Sequence, residues 1–166
     1  RRFVQTSEEI REYIQQNTDI QVQRIYEANS DVTPQNWNNG LYSLGEAIPA
    51  ELLKPGFAWD GSTSDMINAM NYGRLYIFHR DHGFSNATGW AHPSFLTSQI
   101  QYIFNLTQLP LIISINCHTG EFSKPECFAE KMLRSSSGGC FGIFAPSFYS
   151  YSGYNDAFSM GIFDGF

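Results

Sequence analysis

The chain is poor in charge. Asp, Glu, Lys and Arg make up 16% of it, and ten basic residues face sixteen acidic ones, for a formal net charge of −6. Lys and Arg nowhere gather into a track that would neutralise phosphates, which argues against a nucleic-acid surface. Long apolar runs are also missing. No stretch reaches the roughly 20 residues that a membrane-spanning helix needs, and no signal-peptide pattern is present. Cysteine is limited to Cys117, Cys127 and Cys140, at spacings that match no C-x-x-C metal or redox motif. One bridge is possible among the three, so at least one thiol stays free within a monomer. There is no internal repeat and no low-complexity segment.

What is present suits one packed core. The 166 residues are 42% apolar and 16% aromatic, with 14 Phe and 9 Tyr, which is the make-up of a globular domain and not of a disordered tail. The chain begins at Arg1 without Met and stops at Phe166, so the expectation is one domain, residues 1–166, cut from a longer protein.

Two apolar runs organise the middle of the chain. Leu75-Tyr76-Ile77-Phe78 leads through His79-Arg80-Asp81 to His82-Gly83, and Leu111-Ile112-Ile113-Ser114-Ile115 leads to Asn116-Cys117. Short apolar runs closed by turn signals read as buried strands of a parallel sheet. Around them, Thr6 and Glu9 read as a capping box for a first helix carrying Ile10, Tyr13 and Ile14. Residues 20–28 read as a strand with Ile20, Val22 and Tyr26 on one face. A long loop over 29–61 follows, with a short helical turn near 49–53. A second helix is expected from Ser62, with Asp65 in its cap and Gly73 as its terminator. The first apolar run then gives a strand over 74–79. A third helix over 97–104 buries Ile100, Ile103 and Phe104. Ser123 and Glu126 read as a capping box for a fourth helix, with Pro125 in its first turn and Phe128, Met132 and Leu133 inward. Residues 140–145 form a last strand. This β-α-β-α-β rhythm predicts an α/β fold, a mostly parallel sheet flanked by helices.

Chemistry in open α/β sheets gathers beyond the carboxyl ends of the strands, which puts His82 and Cys117 beside one rim. Cysteine attack on an amide needs a thiolate, a proton donor for the leaving amine and donors for the oxyanion. Cys117 and His82 supply the first two, and the N–H groups of Gly83 and Cys117 the third. The blander reading makes His82 a loop histidine and Cys117 a core thiol.

Specific blocks then resemble a known family. His82-Gly83, Trp90-Ala91-His92-Pro93-Ser94, Thr97-Ser98-Gln99, Asn116-Cys117 with Gly120-Glu121-Phe122, Pro125 through Glu130, and Ala145-Pro146-Ser147 are similar, in order and spacing, to gingipain-type cysteine peptidases. Arg24-Ile25-Tyr26 and Asp31-Val32-Thr33-Pro34 are similar more loosely. The resemblance implies a caspase-like three-layer sandwich and a cysteine endopeptidase with His82 and Cys117 as its catalytic pair and Gly83 on the oxyanion. It further implies a secreted or bacterial cell-surface protein that acts on protein or peptide substrates. No cofactor is needed for the chemistry, although structural calcium occurs in the family. The loop over 147–154, with Phe148, Tyr149, Tyr151 and Tyr154, corresponds to a wall of the specificity pocket. The family usually has Thr-Gly where this chain has Arg80-Asp81, and Ser152 stands where relatives carry Trp. Asp81 is expected to raise the basicity of His82 or to pair with Arg80 at the surface. Asp60, Asp65 and Glu46 are candidates for a carboxylate that selects a basic side chain, and oligomeric state is open.

Three rival readings remain. His79, His82, Cys117 and His118 offer zinc-ligand chemistry at a spacing unlike closed zinc motifs. Asn86-Ala87-Thr88 and Asn105-Leu106-Thr107 match the glycosylation sequon. The chain could also be a catalytically inactive, peptidase-like binding module.

Overall fold

The computed structural model describes residues 2–37, 45–85 and 88–165. Its centre is a three-stranded parallel sheet in the order β1 (Tyr76–Arg80), β4 (Leu111–Ile115), β5 (Gly142–Phe144). A two-stranded antiparallel ribbon, β2 (Gly83–Phe84) and β3 (Gly89–Trp90), follows β1 directly. In the parallel pair Tyr76 lies opposite Leu111 and Arg80 opposite Ile115, so the two strands end level.

Helices cover both faces. On one side α1 (Arg2–Asn17) and α4 (Ser152–Asp164) bury Ile10 and Phe163 against Phe78, Ile113 and Ile115. On the other, α2 (Thr63–Tyr72), a 3-10 helix (Thr97–Tyr102) and α3 (Phe128–Arg134) bury Met66, Met70, Ile100, Phe128 and Met132 against Ile77, Ile112 and Ile143. Alternate residues of β1 and β4 therefore serve opposite layers, as strand periodicity requires. The expected parallel sheet between helical layers is what forms.

A third cluster, Trp37, Ile48, Leu52 and Trp59, gives the long connection between α1 and α2 its own small core. The 3-10 turn Ala50–Leu52 falls where a helical turn was expected. The capping box of α2 forms as read: the Ser62 hydroxyl accepts from the Asp65 N–H while the Asp65 carboxylate accepts from the Ser62 N–H. Gly73 ends the helix at φ 90°, a conformation open to glycine.

Several expectations are corrected. Helix α1 starts at Arg2, so Thr6 lies inside it, its hydroxyl donating to Asp156 Oδ1 at 3.0 Å with Arg2 O 3.3 Å away, instead of capping with Glu9. Residues 20–28 do not join the sheet. A cavity of about 510 Å³ is lined both by these residues and by β1, and their backbone is drawn elsewhere: the Ala28 N–H donates to Trp59 O and the Gly61 N–H to Tyr26 O. Phe104 and Leu133 are exposed. The 97–104 helix is a tighter 3-10 helix ending at Tyr102, which turns Phe104 away from the core. Helix α3 begins only at Phe128, because Glu126 at φ 51° breaks the helical path that a Ser123–Glu126 cap would require.

Candidate active site

Arg80 and Ile115 are the last paired residues of the parallel ladder. Two positions beyond each come His82 and Cys117, and neighbouring strands run about 4.8 Å apart. Level strand ends thus bring both residues to the same end of the sheet.

The two turns press directly on each other. A Cβ placed on Gly83 would lie 2.6 Å from Asn116 Cγ and 2.7 Å from the Cys117 carbonyl oxygen. Only a residue without a side chain fits so close to the Cys117 backbone. The Ala91 N–H donates to the His82 carbonyl at 3.1 Å. That makes Gly83–Trp90 a non-hydrogen-bonded pair of the β2–β3 ribbon and leaves the Gly83 N–H outside the ladder.

Asn116 ties the two strands together from within. Its Nδ2 donates to Ser114 Oγ at 2.7 Å and reaches His79 Nδ1 at 3.0 Å, while its Oδ1 accepts from Thr119 Oγ1 at 2.7 Å. Ser114 Oγ also accepts from Trp90 Nε1 at 2.8 Å and contacts Thr119 Oγ1 at 3.1 Å. Because Asn116 Nδ2 is a donor, His79 accepts at Nδ1 and carries its hydrogen on Nε2. The His79 ring stacks on Trp90 at 4.4 Å and 6°. Burial, followed by the Arg80, His92 and His82 charges, pushes its pKa down to about 3, so it stays neutral.

His82 is exposed and stands edge-on to the Phe3 ring of α1, at 5.4 Å and 89°. Asp81 does not pair with Arg80. Its Oδ1 accepts the His82 backbone N–H at 2.7 Å and its Oδ2 faces His92 Nδ1 at 3.3 Å. Arg80 instead turns inward, its side chain 2% exposed, and pairs with Asp156 Oδ1 of α4 at 2.8 Å. Cys117 is half-buried, with the Ser150 N–H donating to its Sγ at 3.5 Å and the Ser150 carbonyl oxygen 3.8 Å away. All three cysteines are free thiols, and Cys127 and Cys140 are buried.

The loop between β5 and α4 lies alongside. His118, at φ 59°, donates its N–H to Phe148 O, and its ring meets Tyr149 edge-on at 4.4 Å. Tyr149 and Tyr151 are 63% and 71% exposed, and Ser152 opens α4 with its carbonyl accepting from Arg80 at 3.4 Å. The acidic candidates lie elsewhere. Asp60 bridges to Glu27 and lines a separate cavity with Lys54 and Trp59, Asp65 is spent on the α2 cap, and Glu46 is exposed beside the Trp37 cluster. Among the described residues, no three His, Cys, Asp or Glu side chains form a group that could hold a metal ion. Asn105 is 5% exposed and its amide is bonded to Gly139 on both sides, so that sequon is not an acceptor. Asn86 lies outside the described residues.

Sequence reasoning missed Ser150, Asn155, Asp156 and Phe3 at this site. Arg80 alone carried a signal, as a charge at the end of a buried strand.

The chain as a whole is similar to known proteins. The sequence model of Peptidase family C25 matches residues 3–166. Gingipain R2 and gingipain R1 of Porphyromonas gingivalis are each 35% identical over 77 residues, or 45% of this chain. The match takes in 10% and 8% of those proteins, so the chain corresponds to a small part of their length. The crystal structure of the Arg-specific cysteine proteinase gingipain R superimposes with a TM-score of 0.65 at 21% identity, covering 98% of this chain and 32% of that one. At that identity the likeness speaks for the fold.

Proposed function

Since this chain belongs to peptidase family C25, we propose that it carries the catalytic pair of a cysteine endopeptidase, with Cys117 as nucleophile and His82 as general acid and base. The observation that carries this reading is the level ending of β1 and β4, with Gly83 seated against the Cys117 backbone. The Cys117 thiol gives its proton to His82 as its sulfur attacks the scissile carbonyl carbon, and the carbonyl π electrons move to oxygen, where the Gly83 and Cys117 N–H groups stabilise them. Collapse of that intermediate breaks the C–N bond, and His82 gives the departing amine its proton. A thioester on Cys117 remains. Water, deprotonated by His82, attacks it and returns the sulfur and a free carboxylic acid. No step passes through calcium or another metal.

In this reading Tyr149, Tyr151 and Ser152 form the wall against which the substrate lies, supported by the contact of the His118 ring with Tyr149 and Phe148 of the same loop. The substrates in this reading are proteins or peptides. Kinship with gingipains extends it to a bacterial protein acting outside the cell or at its surface. Among the described residues no helix is long and apolar enough to cross a membrane.

Intact-mass spectrometry after exposure to peptidyl acyloxymethyl ketones of varied P1 residue tests the proposal. One adduct is expected, on Cys117, lost in His82→Ala, with buried Cys127 and Cys140 as internal controls. A folded protein whose Cys117 reacts no faster than those two is a peptidase-like scaffold.

A further inference from the structure

Beyond Arg80 and Ile115 no ladder fixes the distance between the His82 turn and the Cys117 turn. Something else must, because an ångström of misplacement can cost about 10²-fold in rate. The first turn of α4 touches both sides. Asn155 Nδ2 donates to Ser150 Oγ at 2.8 Å. The Ser150 hydroxyl has one hydrogen and donates it to the Asn116 carbonyl oxygen, while its backbone N–H donates to Cys117 Sγ at 3.5 Å. The next residue, Asp156, accepts from Arg80 Nε at 3.1 Å and from Nη2 of the same guanidinium at 2.8 Å. Asp156 is itself anchored to α1 by Arg2 at 2.7 Å and Thr6 at 3.0 Å.

We infer that Asn155 is a positioning residue for Cys117, acting through the Ser150 hydroxyl from a helix turn that Asp156 locks to the His82-bearing strand. Asn155 touches no reacting atom. It orients the Ser150 hydroxyl, which holds the Asn116 carbonyl and so keeps the Ser150 N–H on the sulfur. Both connections leave one helical turn, so the nucleophile and the acid share one support. The inference rests on the peptidase reading given above.

Asn155→Ala, Ser150→Ala, the double variant and Ser150→Thr test it, with the peptidyl ketone that labels the parent protein as probe. Each single alanine variant is expected to slow the maximal labelling rate ~10- to 100-fold with the half-saturating concentration within about twofold of the parent. The double variant is expected to be no slower than either single one, since the effect passes through one hydroxyl. Ser150→Thr, which keeps that hydroxyl, recovers most of the rate lost in Ser150→Ala. Additive losses, a loss confined to half-saturation, or unchanged rates overturn the inference. Amide hydrogen exchange reads the same connection without catalysis. In Asn155→Ala, residues 117–120 and 148–151 should exchange about tenfold faster, and unaltered exchange overturns the relay. A parent protein that no ketone labels overturns the peptidase reading, and the exchange result then decides the relay alone.

Discussion

Replacing Gly83 by alanine adds one methyl group between the two strand ends. That carbon would sit 2.6 Å from Asn116 Cγ and Oδ1 and 2.7 Å from the Cys117 carbonyl oxygen, about an ångström short of ordinary contact. Asn116 cannot swing aside cheaply, because it is 2% exposed and its amide is bonded to Ser114, His79 and Thr119. Nor can the Cys117 carbonyl move without its Cα. The turn must therefore shift as a unit, at a cost of about 1–3 kcal/mol for overpacking. For a chain of this length that lowers Tm by about 2–12 °C. Alanine keeps the N–H group proposed for the oxyanion, so any loss of rate reports distance between the turns and not a missing donor. The expected loss in Cys117 labelling is ~10²-fold. Differential scanning calorimetry and labelling kinetics on one preparation check both halves. A variant with parental Tm, labelled within about twofold of the parental rate, would refute the close approach.

Two further substitutions probe buried titratable groups. Glu8 is 2% exposed and receives Arg24 at 2.7 and 2.8 Å, Arg11 at 3.0 Å and the Tyr26 hydroxyl at 2.6 Å. Burial raises its pKa, yet these hydrogen bonds prevail and hold it below the ordinary 4.5. Its contribution is therefore present above that value and disappears as pH falls through the lower folded one. Glu8→Ala should cost about 3 kcal/mol at pH 7 by urea denaturation, with the gap to parent narrowing in acid; a constant gap would refute the assignment. His79 acts in a higher window. Its folded pKa of about 3 lies below the ordinary 6.5, so only the unfolded chain takes up a proton between the two values. Parental stability is thus full above about pH 6.5 and falls as pH drops below it. His79→Gln should flatten that fall between about pH 7 and pH 5, and a parallel pair of curves would sink the argument.

The parts of the fold that were legible in sequence are those whose causes are local. β1 and β4 announce themselves as apolar runs because both faces are covered, and α2 because Ser62 and Asp65 cap it within three residues. The strand reading of 20–28 failed for a distant reason: residues 59–61 claim its backbone, and its Arg24 turns to Glu8. The start of α3 failed on one residue, Glu126, whose left-handed backbone no cap pattern reveals. At the site, His82 and Cys117 were visible because each follows a strand with a turn. Their supports were not. Arg80 meets Asp156 across 76 positions and Cys117 meets Ser150 across 33, and neither separation leaves a period or a motif.

The alliance of α1 with α4 also sets an order in time. On a ribosome, Thr6 and the apolar face at Ile10 emerge about 150 residues ahead of their partners Asp156 and Phe163. At 5–20 residues per second, that is a wait of roughly ten seconds or more. During it the His82-bearing strand has no Asp156 for its Arg80, and Cys117 has no Ser150 beside it. Cys117 is synthesised well before the helix proposed to aim it, so in a growing chain the Cys117 and His82 turns lack their shared support until the first turn of α4 is in place.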